Sequence, residues 1–341
     1  MTAPERTLPR ILVCGPNPAW QKTLSFDEFR PYEVNRAREC DLRASGKGIN
    51  FARAARTWGL AHPVVCQFSG GANGRALTNR LKDEGIEFIG REIAGSTRCC
   101  TTVLCGKSAS MTELIEPSPT VSADDIASLR DSIIGLLDGA DALALCGTLP
   151  EGPIEGFYPE IAVAAVRAGK PVLMDSVKQF RETLSAGVPY LKINSGELLS
   201  LTGASDPEAA ALELLKQFPL QCAAITDGPA RAFIAWRGRI HRISIPDLPG
   251  ILNPLGAGDV CSGVMLSELV VGSDPRKAFS AGLAAACASC LTEYAADFDR
   301  TEALRILGGM RVGTAPHPLT KTTLFSSNNH KNEKQERFFP T

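Results

Sequence analysis

The stretch NPLGAGDVCSG, from Asn253 to Gly263, places one carboxylate, Asp259, behind a run of very small residues and ahead of an apolar helical pattern. Backbone amides in such a run can approach a ligand without side-chain obstruction, and a helix that begins there offers its N-terminus to an anion. An acid in the first turn also has a structural explanation, because carboxylates cap helices and complement the helix dipole. Taken alone, the stretch favours the helix cap over an active site.

Short apolar runs alternate with helical stretches on the N-terminal side of this segment, which predicts a mostly parallel sheet covered by helices on both faces. The predicted strands are residues 11–14, 63–68, 141–146, 171–175, 190–194 and 222–226. Helical segments between them include residues 48–59, 123–139 and 155–169. Such strands present their carboxyl ends to a shared crevice, where a ligand site is expected.

Two segments, residues 23–44 and 98–119, interrupt this alternation and have no helical period. The second alternates and turns like a hairpin. We expect a small sheet that stands off the main one as a lid, formed by about residues 20–45 and 97–119. From Thr314 onward the periodicity is lost, so we predict one domain over residues 1–314 and a disordered polar tail over 315–341.

The composition is that of an ordinary soluble globular protein, with 341 residues, 44% of them hydrophobic and 21% charged. The formal net charge is -1 and Lys and Arg are spread along the chain, so no nucleic-acid or anionic-membrane partner is expected. Eleven cysteines, without a secretory signal, predict a cytoplasmic protein. Cys287 and Cys290 form a C-x-x-C inside an Ala-rich helix, which favours core thiols over a metal site.

Two stretches come near to a phosphate-binding loop. GPNPAWQKT, residues 15–23, is not a P-loop, because Gln21 rather than Gly precedes Lys22. In ASGKGINFARAAR, residues 44–56, Lys47 stands between glycines where a helix opens. A Lys in that position suits a phosphoryl or sugar-hydroxyl ligand, and a solvated loop Lys is the alternative.

Several elements in a fixed order decide between these alternatives. NPAW, SGKGIN, CGTLPEG, KINSGE, TDGPARA and GAGD follow one another in a chain that resembles the PfkB (ribokinase-like) family of carbohydrate kinases from about residue 11 to 310. The resemblance implies a ribokinase-like three-layer α/β/α fold with a small β-sheet lid. NPA, KGIN, EVNR, Thr112-Glu113 and LPEG look most like the 1-phosphofructokinase and tagatose-6-phosphate kinase branch.

The resemblance implies phosphoryl transfer from ATP to an alcohol. Asp259 matches the catalytic base, and the amides of Gly256, Ala257 and Gly258 match the anion hole. Asn194 and Glu197 match an N-x-x-E element that organises Mg²⁺, mostly through water. Whether a monovalent cation also binds is left open. The residues implied to bind the nucleotide are Lys192, Asn194, Thr226, Gly228 and Asn253.

On the acceptor side, Lys47, Asn50 and Arg98 match the family's sugar-phosphate residues, and further candidates for substrate binding are Gly46, Glu113 and Thr148. Three positions depart from the branch. Gln21 stands for the usual Asp that binds sugar hydroxyls, and Ser45 and Ser118 each replace a glycine. Because these changes lie on the sugar side, we expect phosphoryl transfer to be retained and the choice of acceptor to be affected, at Gln21 and Ser45 above all.

The function that the resemblance implies is in-line phosphorylation of a ketohexose phosphate, with fructose 1-phosphate giving fructose 1,6-bisphosphate as the preferred interpretation. It also implies a homodimer in which the two lid sheets meet. Tagatose 6-phosphate, fructose 6-phosphate and an unphosphorylated sugar remain alternative acceptors, and a catalytically weak sugar-phosphate-binding protein is an alternative of another class. An NAD-dependent enzyme is disfavoured, since no G-x-G-x-x-G follows the first strand.

Overall fold

The computed structural model describes residues 7–108, 110–228 and 231–314 of the chain. They form one sheet of ten strands, which helices cover on both faces, and one sheet of four strands. The α/β/α fold with a smaller second sheet is therefore confirmed. The predicted polar tail over residues 315–341 lies outside the described residues.

The large sheet has the strand order β14-β13-β12-β11-β10-β9-β8-β1-β4-β5. Its strands are β1 Arg10–Cys14, β4 His62–Ser69, β5 Glu87–Glu92, β8 Ala142–Cys146, β9 Val172–Asp175, β10 Tyr190–Asn194, β11 Cys222–Asp227, β12 Arg231–Trp236, β13 Arg239–Ser244 and β14 Arg311–Thr314. Neighbours from β5 to β11 pair in parallel, and β11 to β14 pair antiparallel. Every strand predicted from sequence is present, whereas β5, β12, β13 and β14 were not predicted.

The helices are α1 Lys47–Trp58, α2 Gly71–Asp83, α3 Ala123–Gly135, α4 Phe157–Arg167, α5 Phe180–Ser185, α6 Ser195–Thr202, α7 Pro207–Gln217, α8 Ala257–Val270, α9 Pro275–Cys290 and α10 Arg300–Gly309. A short 3₁₀ turn, Leu137–Gly139, follows α3. The segment 123–139, predicted as one helix, is thus a helix and a separate turn.

Alternate side chains of β1 enter two different cores. Leu12 packs with α3 and α4 on one face, and Val13 packs with α1, α8 and α9 on the other. Since side chains alternate along a strand, a strand buried on both faces must be apolar throughout, as ILVC is. Each large apolar side chain that is fully buried in this way contributes about 1.5–3 kcal/mol.

Helices α8 and α9 are rich in small residues because they cross closely. A Cβ added at Gly282 of α9 would lie 2.5 Å from the carbonyl oxygen of Cys261 in α8, so a side chain there would force the two helices apart. Among the helices that the structure describes, none has both the length and the apolar character needed to cross a membrane. Helix α9, the Ala-rich segment, is buried at most of its positions and is a packed core helix.

The small sheet has the strand order β3-β2-β6-β7 and consists of β2 Ala19–Phe26, β3 Glu39–Ser45, β6 Cys99–Cys105 and β7 Ser110–Ile115. The two segments that lacked a helical period thus supply its strands. Ala44 of β3 is buried in a cluster with Ile49, Ala52 and Leu77, so the base of this sheet is anchored on α1 and α2. That the sheet acts as a lid remains a prediction.

Candidate active site

The first turns of two helices and the ends of two parallel strands meet at one edge of the large sheet. Lys47 begins α1 and Asp259 lies in the first turn of α8, while Asp175 ends β9 and Lys192 lies near the end of β10. These four side chains interact electrostatically with one another. The crevice predicted from the strand pattern is therefore lined with charged groups.

Asp259 is buried, with 8% of its surface exposed. Its Oδ2 accepts a hydrogen bond of 2.8 Å from Nδ2 of Asn50, a buried residue of α1. Burial raises the pKa of Asp259 to about 6, although the ammonium of Lys47 opposes this shift. A carboxylate with that pKa is ionised at neutral pH and can still accept a proton, which suits a general base.

The N-terminus of α8 lies open beside this carboxylate. Gly256 occupies the N-cap position with φ 79°, and no side chain among the described residues caps the helix. A Cβ at Gly256 would lie 3.1 Å from Nδ2 of Asn50 and 3.4 Å from Cβ of Ala296, so the space is tight, and the left-handed backbone angle favours glycine. The amide of Ala257 donates to the carbonyl of Pro254 at 3.2 Å. Of the three predicted anion-hole amides, those of Gly256 and Gly258 remain the candidates.

Asp175 is the central acid of the crevice, and sequence reasoning did not select it. Its Oδ1 lies 3.0 Å from Nζ of Lys47, and its Oδ2 lies 3.5 Å from Nζ of Lys192 and accepts a 2.6 Å hydrogen bond from Ser262. Burial acts to raise the pKa of Asp175, but Lys192 and Lys47 outweigh it and lower that pKa to about 2. The available signal was an acid at the end of a predicted strand, VLMD.

Lys192 reaches beneath the open helix terminus. A Cβ built on Gly258 would lie 2.9 Å from Nζ of Lys192, so the ammonium lies directly against the backbone of the first turn of α8. Interaction with Asp175 offsets the cost of burial and raises the pKa of Lys192. A fixed positive charge therefore adds to the field of the helix dipole at this point.

Asn194 and Glu197 form a reciprocal cap at the start of α6. Oδ1 of Asn194 accepts a 2.8 Å hydrogen bond from the amide of Glu197, and Oε2 of Glu197 accepts one of 3.0 Å from the amide of Asn194. Oε1 of Glu197 lies 4.0 Å from Nζ of Lys47, at the crevice. The N-x-x-E motif thus has a structural role, and one carboxylate oxygen still faces the charged cluster.

Two residues that depart from the family pattern, Gln21 and Ser45, are buried at the small sheet. Nε2 of Gln21 donates to Oγ1 of Thr102 at 2.8 Å. Oγ of Ser45 donates to Oδ1 of Asn50 at 3.4 Å, and Asn50 in turn binds Asp259. Gly46, the N-cap of α1, follows Ser45 directly. Ser45 is therefore joined to the candidate base through one side chain.

Arg98 and Thr148 are brought together through Asn17, a residue of the NPAW motif that was not selected. Arg98 donates to the backbone carbonyls of Asn17 and Pro18 at 3.3 and 3.5 Å. Nδ2 of Asn17 donates to Oγ1 of Thr148 at 2.9 Å. The buried Oδ1 of Asn17 has no hydrogen-bond partner among the described residues. Glu113 is exposed on the edge strand β7, where it lies opposite Thr102 in the β6–β7 ladder.

An apolar cavity of 690 Å³ opens beside the N-terminal end of α8, where Ala257, Gly258 and Cys261 line it. Its lining includes Thr226 and Gly228, two of the predicted nucleotide residues, beside Gly258. Cys287 and Cys290 also line it and are half-buried, which differs from the prediction that they are core thiols. The described residues contain no group of three or more His, Cys, Asp or Glu that could hold a metal ion.

Asn253, predicted to bind the cofactor, is buried in the loop before α8. Its Nδ2 donates to the carbonyl of Glu293 at 3.0 Å, and its Oδ1 accepts from the amide of Leu255 at 2.9 Å. Both halves of the amide therefore bind backbone. This geometry supports a role for Asn253 in positioning the α8 terminus.

Known proteins resemble the chain over nearly its whole length. The ATP-dependent 6-phosphofructokinase isozyme 2 of Mycobacterium tuberculosis is 29% identical over 302 residues, which cover 87% of this chain and 88% of that protein. The structure of phosphofructokinase-2 from Escherichia coli in complex with potassium superposes with a TM-score of 0.79 at 22% identity, covering 89% of this chain and 99% of the other. A protein named as a possible 1-phosphofructokinase from Thermotoga maritima superposes with a TM-score of 0.77 at 21% identity. The match covers 90% of this chain and 100% of the other. Residues 17–302 match the profile of the pfkB family carbohydrate kinases, so the chain belongs to this family of enzymes that transfer a phosphoryl group to an alcohol.

Proposed function

We propose that the protein transfers the γ-phosphoryl group of ATP to a fructose monophosphate, giving fructose 1,6-bisphosphate. The observation that carries this proposal is a buried carboxylate, Asp259, whose pKa is raised to about 6 beside the uncapped terminus of α8. Fructose 1-phosphate is the first acceptor, because EVNR, Thr112 and Glu113 resemble the 1-phosphofructokinase and tagatose-6-phosphate kinase branch. Fructose 6-phosphate is the second, because the Mycobacterium tuberculosis relative is a 6-phosphofructokinase by name.

In this proposal Asp259 accepts the proton of the acceptor hydroxyl as its oxygen attacks the γ-phosphorus. The amides of Gly256 and Gly258, together with the helix dipole, stabilise the charge on the phosphoryl oxygens. Lys192 adds a fixed positive charge from beneath the same turn. The side chain of Asn50 orients the carboxylate of Asp259 through the 2.8 Å hydrogen bond. The protein's contribution is therefore positioning and electrostatic stabilisation.

Glu197 suits a Mg²⁺ ion that remains largely hydrated. Its Oε1 is an oxygen donor at the charged crevice, and the described residues offer no cage of several carboxylates. Mg²⁺ commonly binds through one or two carboxylates, substrate phosphates and water, so these residues fit it. When bound there, the ion would neutralise charge on the nucleotide phosphates.

Arg98 accounts for the preference for a phosphorylated acceptor. Two backbone carbonyls hold its half-buried guanidinium beside Asn17, on the side of the crevice where Ser45 and Gln21 lie. A guanidinium held in this way can bind a phosphate with two parallel hydrogen bonds. Hydrogen bonds to charged groups contribute about 1.5–3 kcal/mol each, which corresponds to roughly 10- to 150-fold in kcat/KM.

An ADP-release assay against a panel of acceptors tests the proposal. We expect kcat/KM for fructose 1-phosphate to exceed that for free fructose by at least about 10-fold, and Arg98→Ala to remove that advantage. Arg75→Ala, which removes an exposed guanidinium from α2, is the matched control and should leave both values unchanged.

Three results of the panel would count against parts of this proposal. A higher kcat/KM for fructose 6-phosphate would reassign the acceptor within the same reaction. A preference for free fructose would remove the role given to Arg98. No ADP release with any acceptor would favour a sugar-phosphate-binding protein.

We further propose that the chain forms a homodimer through the small sheet. The strand register places Leu42, Lys22, Thr101 and Leu114 in one row across all four strands, on one face of that sheet. Leu42 and Leu114, at the two ends of the row, are 44% and 58% exposed. A second copy that covered this face would bury both side chains and shield the edge strands β3 and β7.

Light scattering on a sizing column measures this assembly. Wild-type protein should have twice the chain mass of 36.3 kDa, and the double variant Leu42→Glu/Leu114→Glu should have the mass of a single chain. Arg181→Glu, at an exposed position of α5, is the control and should keep the dimer. A monomeric wild type, or a dimeric double variant, would rule out this interface.

A further inference from the structure

The loop between α9 and α10, residues 291–299, supports the catalytic helix terminus. The backbone carbonyl of Glu293 accepts the hydrogen bond from Asn253, 3.0 Å long, in the segment that leads into α8. Ala296 packs against Gly256 so closely that a Cβ on that glycine would lie 3.4 Å from its own. Ala296 also has φ 56°, in the left-handed region. A shift of this loop would therefore move the amides at the start of α8.

Arg43 of the small sheet contacts this loop through a cation–π pair. The guanidinium carbon of Arg43, in β3, lies 3.7 Å from the centre of the Tyr294 ring. Nε of Arg43 also donates to Oδ2 of Asp41 at 2.8 Å, which fixes the plane of the group. The Arg43 side chain is 17% exposed. The distance and the burial are those of an effective cation–π contact.

Arg43 lies on the face of the small sheet that carries the acceptor-side residues. It is directly opposite Gln21 in the β2–β3 ladder, and opposed residues of an antiparallel pair point to the same face. Arg43, Gln21 and Ser45 line one small cavity together with Ala295, the residue after Tyr294. The stack therefore closes the gap between the acceptor side of the small sheet and the loop that supports α8.

We propose that Arg43 and Tyr294 form a latch that holds the small sheet closed over Asp259 and keeps water away from the phosphoryl group. Both are positioning residues, since they act through the sheet and the α9–α10 loop. The inference rests on the proposed roles of Asp259 as base and of the small sheet as a lid. The latch adds a specific contact between Arg43 and Tyr294. Neither the role of Asp259 as base nor that of the small sheet as a lid requires this contact.

Opening the latch has two consequences that can be measured. The acceptor is held less well, so its KM rises. Water can also replace the acceptor: its oxygen bonds to the γ-phosphorus while the bond to ADP breaks, and Asp259 takes the proton of the water. ATP is then hydrolysed without an acceptor, a reaction that closure of an active site normally suppresses.

The test compares Tyr294→Ala with Tyr294→Phe, which keeps the aromatic ring. In Tyr294→Ala, the acceptor KM and the ratio of ATP hydrolysis to transfer should each rise about 3- to 30-fold, with the KM for ATP unchanged. Tyr294→Phe should behave as wild type, and Arg43→Gln should behave as Tyr294→Ala. Hydrogen exchange of residues 39–45 should be faster in Tyr294→Ala and Arg43→Gln only, which reports the latch without turnover.

Unchanged hydrogen exchange of residues 39–45 in both Tyr294→Ala and Arg43→Gln would overturn the latch. It would also be overturned if Tyr294→Phe raised the acceptor KM and the ratio of hydrolysis to transfer as much as Tyr294→Ala. Should Tyr294→Ala fail to fold, Arg43→Gln decides by the same readouts. Faster exchange in a protein that phosphorylates no acceptor would support the latch and refute the proposed function instead. The two failures are thus distinguishable.

Discussion

Asp259→Asn is expected to lower kcat by roughly 100- to 10,000-fold, the range that a positioned general base supplies. The substitution keeps the size of the side chain and one oxygen that can accept the hydrogen bond from Asn50, but it removes the basic oxygen. Because Asn50 and the α8 amides are untouched, the KM for ATP should change little. ADP release at saturating acceptor measures the loss directly.

The pH dependence gives an independent measure of the same group. Burial raises the pKa of Asp259 to about 6, so kcat/KM of the wild type should fall as the pH drops below about 6 and the base becomes protonated. The residual activity of Asp259→Asn should lack that fall. Since the folded pKa is higher than the ordinary value of 3.8, ionisation of Asp259 opposes folding as the pH rises from about 4 to 6. Asp259→Asn should therefore be at least as stable as wild type at pH 7.

Asp131→Asn is the matched control, because this acid of α3 is 66% exposed and lies outside the crevice. It should retain both the turnover and the pH profile of the wild type. Wild-type turnover in Asp259→Asn would disprove the assignment of the base. A loss of activity that accompanied a large loss of stability would show that the carboxylate supports the fold instead.

The layers of the fold could be predicted from sequence because the central strands are buried on both faces. A strand such as β8, ALALC, is apolar at every position, and no amphipathic helix has that pattern. The strands that were not predicted lie toward the two ends of the sheet, with β5 at one end and β12, β13 and β14 at the other. In β5, EFIGRE, only Phe88 and Ile89 are apolar and four of its six residues are exposed, so the local pattern does not distinguish it from a loop. Its place is fixed by pairing with β4, a tertiary contact.

The candidate site was predictable where a residue acts in a local motif. Asp259 and the glycines before it belong to one helix terminus, and Lys47 belongs to another. Asp175 could not be singled out in this way, because its role depends on two ammonium groups that lie 128 and 17 residues away along the chain. The contact of Arg43 with Tyr294 is of the same kind, since only the folded chain brings those residues together.

Asn253 shows the converse case, in which a residue of a conspicuous motif has contacts that the sequence does not reveal. The amide lies within the conspicuous NPLGAGD stretch, and a ligand was the expected partner. Its two hydrogen bonds go instead to the backbone of residues 293 and 255. A polar side chain in a loop can satisfy buried backbone groups as readily as it binds a ligand, and sequence alone does not separate the two.

Asp175→Asn is expected to reduce the free energy of unfolding at pH 7 by about 3–5 kcal/mol, the usual effect of removing one partner of a buried ion pair. The neutral amide leaves the ammonium of Lys192, 5% exposed, without its main counter-charge and close to that of Lys47. Lys47 is 34% exposed and can turn toward water, so most of the cost falls on Lys192. Urea unfolding measures the difference, with Asp131→Asn again as the control.

The acid dependence of stability should change in the same variant. In the wild type, the pKa of Asp175 is lowered from 3.8 to about 2, so its contribution is complete above the ordinary value and is lost as the pH falls through about 2. The difference in stability between wild type and Asp175→Asn should therefore be constant near neutrality and shrink between pH 4 and 2. A difference that grew on acidification would contradict an ionised Asp175.

The double variant Asp175→Asn/Lys192→Met separates the unpaired charge from the lost hydrogen bond to Ser262. Met keeps the length of the Lys192 side chain and removes its charge, so the buried ammonium no longer lacks a partner. If the ion pair dominates, the double variant should recover much of the stability that Asp175→Asn loses, because a buried pair replaced by neutral groups is often tolerated. A double variant less stable than Asp175→Asn would show that the Lys192 ammonium has another partner. In the proposed mechanism, the positive charge of Lys192 beneath Gly258 acts on the phosphoryl group. The double variant lacks this charge, so its kcat should stay low even where its stability returns.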